Sequence, residues 1–350
     1  MSTPQQTHND QDMAERIRQY IETKLPNASD LHLEAMERIA VGWSHETWLF
    51  DAYWTENGET KAQGLCLRRD PGNALLRHFS DLGMQFQVLQ SLESTPLPTP
   101  KPYWYESDTS ILDKPFLVME KVSGTCPSPW GSAGRRFYAD AAERGTLPQS
   151  FTSALATLHT IDWEAAGLSF LGVPESGNDF ALREVQKWCE LVELSQLEPH
   201  PILVDLTGWL KANAPDTKRL TLVHGAYRTG NLLIDNDQIS AVLDWELQVI
   251  GDPMYDVAYV LTDLNREGSD LLSHLVERDA FLRDYKKATG IEIDEEVCQY
   301  YGMLYQLRSA AFWMSAAGLY ASGQSEDIRL ARTAWSVPFV LEGAARALNY

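Results

Sequence analysis

The chain is 350 residues long, 44% hydrophobic and 22% charged, enough to bury cores in more than one domain. Its net charge of −20 argues against a nucleic-acid partner, which needs a basic surface, and no run approaches the roughly 20 apolar residues of a membrane span. The polar start, MSTPQQTHNDQDM, lacks an apolar signal core, so a cytoplasmic protein is expected. Cys66, Cys126, Cys189 and Cys298 have no metal-ligand spacing and read as buried thiols.

In chain order, residues 1 to about 9 read as disordered ahead of a helix. Met13, Ile17, Tyr20 and Ile21 share one face of that helix, with Asn9 or Asp10 as cap and a stop near Pro26. Strands are expected over residues 31–39, 47–54 and 64–69, the last two joined by a hairpin turn at Asn57-Gly58. Helical spacing resumes at Leu82, with Phe86, Leu89 and Leu92 on one face, and ends before the Pro-rich stretch 96–102. Phe116-Leu117-Val118-Met119-Glu120 reads as a buried strand. A boundary near residue 125 separates this β-rich part, 1–125, from a mainly helical remainder, 126–350. In the remainder, Phe151, Leu155 and Leu158 space as a helix, His159 reads as packing or bonding locally, and Arg183 lies on a further helix. The last 90 or so residues read as a helical bundle. No internal repeat is evident.

The stretch that organises the chain is LVHGAYRTGNLLIDNDQISAVLDWELQVIGDPMYDVAYV, residues 222–260. Two short strands, 231–235 and 239–243, flank a polar turn at Asn236-Asp237 and bring Asn231 close to Asp244. An amide oxygen and a carboxylate converging at loop ends suit Mg²⁺, which prefers oxygen ligands and keeps some of its waters. Phosphoryl transfer uses such a metal together with a carboxylate that orients the attacking hydroxyl. At the position where that carboxylate belongs stands Ala226, which cannot accept a proton.

HGAYRTGN, VLDWE and GDPMYD together resemble the aminoglycoside phosphotransferase family of small-molecule kinases, and within it the kinase domains related to acyl-CoA dehydrogenase fusion proteins. The family loop reads His-Gly-Asp, then four residues to Asn; every part matches except the base. The resemblance covers nearly the whole chain and implies an α+β, protein-kinase-like fold of two lobes, ATP and Mg²⁺ as cofactors, and a small-molecule alcohol as acceptor, with a hydroxyacyl-CoA or hydroxy acid favoured. It implies metal binding by Asn231 and Asp244, a catalytic position at Ala226 with Arg228 reaching a phosphate or the acceptor, and a buttressing role for His224. Asp252 or Asp256 would shape the loop by accepting backbone N–H bonds. In the N-terminal lobe it implies phosphate contacts from Gly42, Ser44 and Arg68, a neutral Arg68–Gln85 contact in place of the usual ion pair, and an adenine-binding hinge at Met119, Glu120 and Val122. The intact surroundings of Ala226 favour a single aspartate replaced in an active kinase over a decayed pseudokinase that binds nucleotide for regulation.

Overall fold

The computed structural model describes residues 4–39, 45–70, 81–175, 177–196, 199–266 and 268–350. They fall into two compact units, Met1–Glu93 with Thr99–Ser123 and Ser94–Pro98 with Gly124–Tyr350.

The first unit contains α1 (Pro4–Lys24), β1 (Ser29–Ile39), β2 (Glu46–Glu56), β3 (Glu59–Arg69), α2 (Leu82–Leu92), β4 (Pro102–Glu106), α3 (Thr109–Leu112) and β5 (Phe116–Glu120). The strands form one antiparallel sheet in the order β1-β2-β3-β5-β4. Alternation sets its inner face. Trp48, Phe50 and Ala52 of β2, Leu65 and Leu67 of β3, and Phe116 and Val118 of β5 all point into one core. The expected face of α1 (Met13, Ile17, Tyr20 and Ile21) closes that core. The helix starts at Pro4, ahead of the expected cap at Asn9 or Asp10, and proline in a first turn sacrifices no helical hydrogen bond. Between β2 and β3, Asn57 (φ +53°) and Gly58 (φ +79°) make the expected tight turn.

The second unit contains α4 (Ser132–Arg144), α5 (Thr146–Thr160), α6 (Asp179–Ser195), α7 (Pro201–Ala212), β6 (Thr221–Val223), β7 (Leu232–Asp235), β8 (Gln238–Val242) and β9 (Val249–Gly251). It ends with α8 (Pro253–Leu261), α9 (Arg278–Thr289), α10 (Glu295–Ala321), α11 (Ile328–Arg332) and α12 (Ser336–Ala347). Two antiparallel ladders, β6–β9 and β7–β8, carry the loops of interest. The β7–β8 hairpin is anchored by Thr125, which exchanges backbone bonds with Ile234 at 2.9 and 2.8 Å, and by Pro98, whose carbonyl accepts from Val242 at 2.8 Å. Among the described residues, no helix is long and apolar enough to cross a membrane. The thiols depart from expectation: Cys66 and Cys298 are buried, but Cys189 is only half-buried and Cys126 is exposed. Cys126 lies in a loop, where its Sγ meets the Gly230 carbonyl at 3.2 Å.

Candidate active site

The loop after β6 is held from beneath by one carboxylate. The N–H groups of His224 and Gly225 donate to Asp256 at 2.7 and 2.8 Å, and Asp256 also meets His159 Nε2 at 3.2 Å. His159 Nδ1 in turn lies 2.6 Å from the Tyr285 hydroxyl, and both His159 and Asp256 are fully buried. Burial opposes ionisation of Asp256. The His159 contact and the His224 amide outweigh it and hold the carboxyl below its ordinary range. The expected loop-shaping carboxylate is therefore Asp256. His159 is packed, as one of its two expected roles has it, and the residue it bonds lies 97 positions away because α5 and α8 carry the two side chains to one place.

Gly225 (φ +79°) cannot be another residue without displacement, since a Cβ there would sit 2.5 Å from the Leu247 carbonyl oxygen. His224 is positioned by two further bonds. Its Nε2 lies 2.7 Å from the Leu243 carbonyl, and the Ala226 N–H donates to its Nδ1 at 3.2 Å. That pair requires the neutral ring with the proton on Nε2, and burial pushes the His224 pKa down in agreement.

Ala226 is buried, and its carbonyl accepts from the Asn231 side-chain amide at 2.9 Å, a bond that engages Nδ2 and not the amide oxygen. The Asn231 backbone carbonyl accepts from Leu243 N–H at 2.9 Å, so the ladder continues one pair beyond Leu232 and Val242. Asp244 follows at once, at φ +68°, a conformation that non-glycine residues seldom adopt. The hairpin thus brings Asn231 beside the peptide leading into Asp244. Among the described residues no group of three His, Cys, Asp or Glu side chains could hold a metal. One amide oxygen and one carboxylate, with the remaining sites left to water and phosphate, fit Mg²⁺. Arg228 is half-buried, with its guanidinium 5.8 Å from the Trp130 ring centroid. Arg183 instead pairs with Asp179 at 2.7 Å on the helix surface.

In the first unit, Arg68 of β3 places Nη1 3.4 Å from Gln85 Oε1 on α2 and Nη2 3.0 Å from His45 Nδ1. Neighbouring Arg69 is tied to Glu46 at 2.8 Å and to the Leu112 carbonyl, so neither arginine is a simply solvated strand end. Met119 is buried in β5. The Glu120 N–H donates to the Lys101 carbonyl at 2.8 Å, and the Lys121 N–H to the Gly64 carbonyl at 3.0 Å. The amide of Glu120 is therefore committed within the sheet, and Val122 is the first residue past that ladder. Gly42 and Ser44 lie outside the described residues.

Asp252 caps α8, accepting from Met254 N–H at 2.9 Å and from the Tyr301 hydroxyl at 3.3 Å. Burial pushes its carboxyl up from 3.8 to about 6, against the opposing pull of those two donors. A raised folded-state value means the folded protein binds the proton more tightly. The associated stability is fully present below the unfolded value and is lost as pH rises through 6. Asparagine keeps the cap acceptor without the charge. Asp252→Asn is expected to gain on the parent between about pH 4 and pH 7 by at most about 3 kcal/mol, read by urea unfolding. A pH-independent difference would remove the assignment.

This geometry has relatives. The sequence profile of the phosphotransferase enzyme family, APH, matches residues 35–300. The chain belongs to this family. Among curated relatives of the APH-family chain, rat (Rattus norvegicus) acyl-CoA dehydrogenase family member 11 is 32% identical over 202 residues, 57% of this chain and 25% of the relative. The chain thus spans about a quarter of that relative's length. A crystal structure from Ralstonia eutropha, provisionally described as an aminoglycoside phosphotransferase, shares the fold with a TM-score of 0.66 and 21% identity, covering 95% of this chain and 97% of that one. A thermostable mutant of aminoglycoside phosphotransferase APH(4)-Ia, in ternary complex with AMP-PNP and hygromycin B, has a TM-score of 0.56 at 14% identity, over 95% and 99% of the two chains. The APH-family chain accordingly has the protein-kinase-like fold, with a β-rich N-terminal part and a helical C-terminal part.

Proposed function

We propose that the chain is a small-molecule phosphotransferase that binds Mg·ATP and a hydroxyl-bearing acceptor and that, with Ala226 at the base position, turns over slowly. The observation that carries this reading is the loop itself. Residues 224–231 form a loop anchored by Asp256 and by the Asn231 side chain, and Ala226 stands where the resemblance puts a carboxylate. Asn231 and Asp244 would hold the metal, which when bound neutralises charge between the phosphates. Arg68 would present a fixed positive charge to phosphate oxygens, as Gly42 and Ser44 would present backbone donors. Adenine would rest on Met119 and bond the Glu120 carbonyl and the Val122 backbone. Arg228 would orient the acceptor or the transferred group.

A hydroxyacyl-CoA or hydroxy acid is the favoured acceptor, supported by similarity to acyl-CoA dehydrogenase family members. The neighbour solved with AMP-PNP supports an adenine nucleotide as donor. Removing a carboxylate near the γ-phosphate leaves nucleotide binding intact or improves it.

Calorimetric titration tests the reading. Mg·ATP is expected to bind the protein, and Asp244→Asn to weaken binding by roughly 10–100-fold, the value of a charge-assisted contact. The defect should vanish when titrations are repeated with ATP in EDTA, where both proteins bind weakly. Equal Mg·ATP affinity of parent and variant would dismiss Asp244 as a ligand, and no binding by the parent would dismiss the nucleotide site.

A further inference from the structure

Arg308 lies inside α10 in an otherwise largely apolar run, LYQLRSAAFW, and is buried. Its guanidinium sits 5.3, 5.1 and 5.2 Å from the ring centroids of Trp188, Tyr259 and Tyr305. Two walls of this aromatic box are themselves fixed. The Trp188 indole N–H donates to Glu184 at 3.3 Å, and the Tyr305 hydroxyl donates to the Tyr255 carbonyl at 2.8 Å. Among the described residues no carboxylate forms an ion pair with Arg308. Its Nη1 donates instead to the carbonyl of Gly225.

A buried guanidinium without a paired carboxylate is a poor device for stability, since an apolar side chain of similar length would fill the box without desolvating a charge. Besides a side-chain hydrogen bond with Tyr255, the guanidinium supplies a directed bond to one peptide group of the loop. The carbonyl of Gly225 and the N–H of Ala226 belong to the same planar unit, and the N–H is already fixed on His224 Nδ1 at 3.2 Å. The preceding N–H groups, of His224 and Gly225, are fixed on Asp256. Arg308 therefore secures the one polar group of the Gly225–Ala226 peptide that Asp256 and His224 do not.

We infer that Arg308 is a positioning residue that fixes the orientation of the peptide carrying residue 226, so that α10 sets the direction of whatever side chain stands there. The structural part stands on the contacts alone. Its catalytic meaning rests on the proposed function.

Amide hydrogen exchange of the full chain distinguishes this role from simple packing. Arg308→Met fills the box without the donor, and Arg308→Lys keeps a donor without the planar stack. In Arg308→Met, exchange at Ala226 is expected to accelerate roughly 10–100-fold. The melting temperature should stay level or rise, and amides in the middle of α10 should keep their protection. Arg308→Lys should fall between parent and Met, and it carries the test by itself if the Met variant does not fold. Unchanged exchange at Ala226, or acceleration shared equally by α10 and the loop, would overturn the inference. Mg·ATP titration of the same proteins reads the proposed function separately, because nucleotide binding can fail while the exchange result holds.

Discussion

Ala226→Asp is expected to raise phosphoryl transfer by ~10²–10⁴-fold, about 3–5 kcal/mol of barrier, while changing Mg·ATP affinity little. The estimate is bounded because most of phosphoryl-transfer catalysis comes from positioning and charge, and the groups proposed for both are present without the base. The backbone around residue 226 is already organised: its N–H is on His224, its carbonyl on Asn231, and the preceding carbonyl on Arg308. A carboxylate introduced there would enter a loop that needs no rebuilding. Parent and variant would be assayed side by side over a panel of hydroxyacyl-CoAs, hydroxy acids and other small alcohols. Transfer by the variant alone identifies a disabled kinase, and the active alcohol names its substrate class. Nucleotide binding by both with transfer by neither favours the nucleotide-binding regulator, the alternative that a methyl group at the base position invites.

Asp256→Ala should be the most destabilising single change in the loop's support, costing about 3–5 kcal/mol. It leaves the His224 and Gly225 N–H groups and His159 without their buried acceptor, and each stranded group carries about 1–3 kcal/mol. Asp256→Asn retains one acceptor oxygen and should lie between the alanine variant and the parent. Tyr285→Phe removes only the outer bond to His159 and should cost about 1 kcal/mol. Urea unfolding at constant pH separates the three. A loss below about 1 kcal/mol for Asp256→Ala would mean that the loop is held elsewhere.

What could be read in advance was whatever the chain encodes locally. Asn57-Gly58 and Asn236-Asp237 announce turns because few other pairs accept two positive φ values, and both hairpins form there. The apolar run of β5 and the spacing in α1 mark residues that do become core. The Arg68–Gln85 contact was expected from the resemblance and is present at 3.4 Å. Long-range partners carried no such signal. His159 and Asp256 belong to separate helices whose spacing speaks only of their own faces, so nothing local joins them. Arg308 has a faint mark, a lone charge within a largely apolar helical run. The N–H of Glu120, within the expected hinge, is taken up because strand order places Lys101 beside it, and that order is not written in residues 116–120.

The second unit takes in Ser94–Pro98 as well as everything from Gly124 onward. That discontinuity has a consequence for synthesis on the ribosome. The Pro98 carbonyl emerges early and waits for Val242, which leaves the exit tunnel only after the whole intervening chain has been made. The β-rich unit has all its strands once residue 120 is out, whereas the hairpin that carries Asn231 and Asp244 must recruit a segment translated long before it. Gene fragments divided at a single point near residue 125 would separate β8 from that acceptor. Transplanting or shuffling the helical part as a cassette therefore requires the five-residue segment to travel with it.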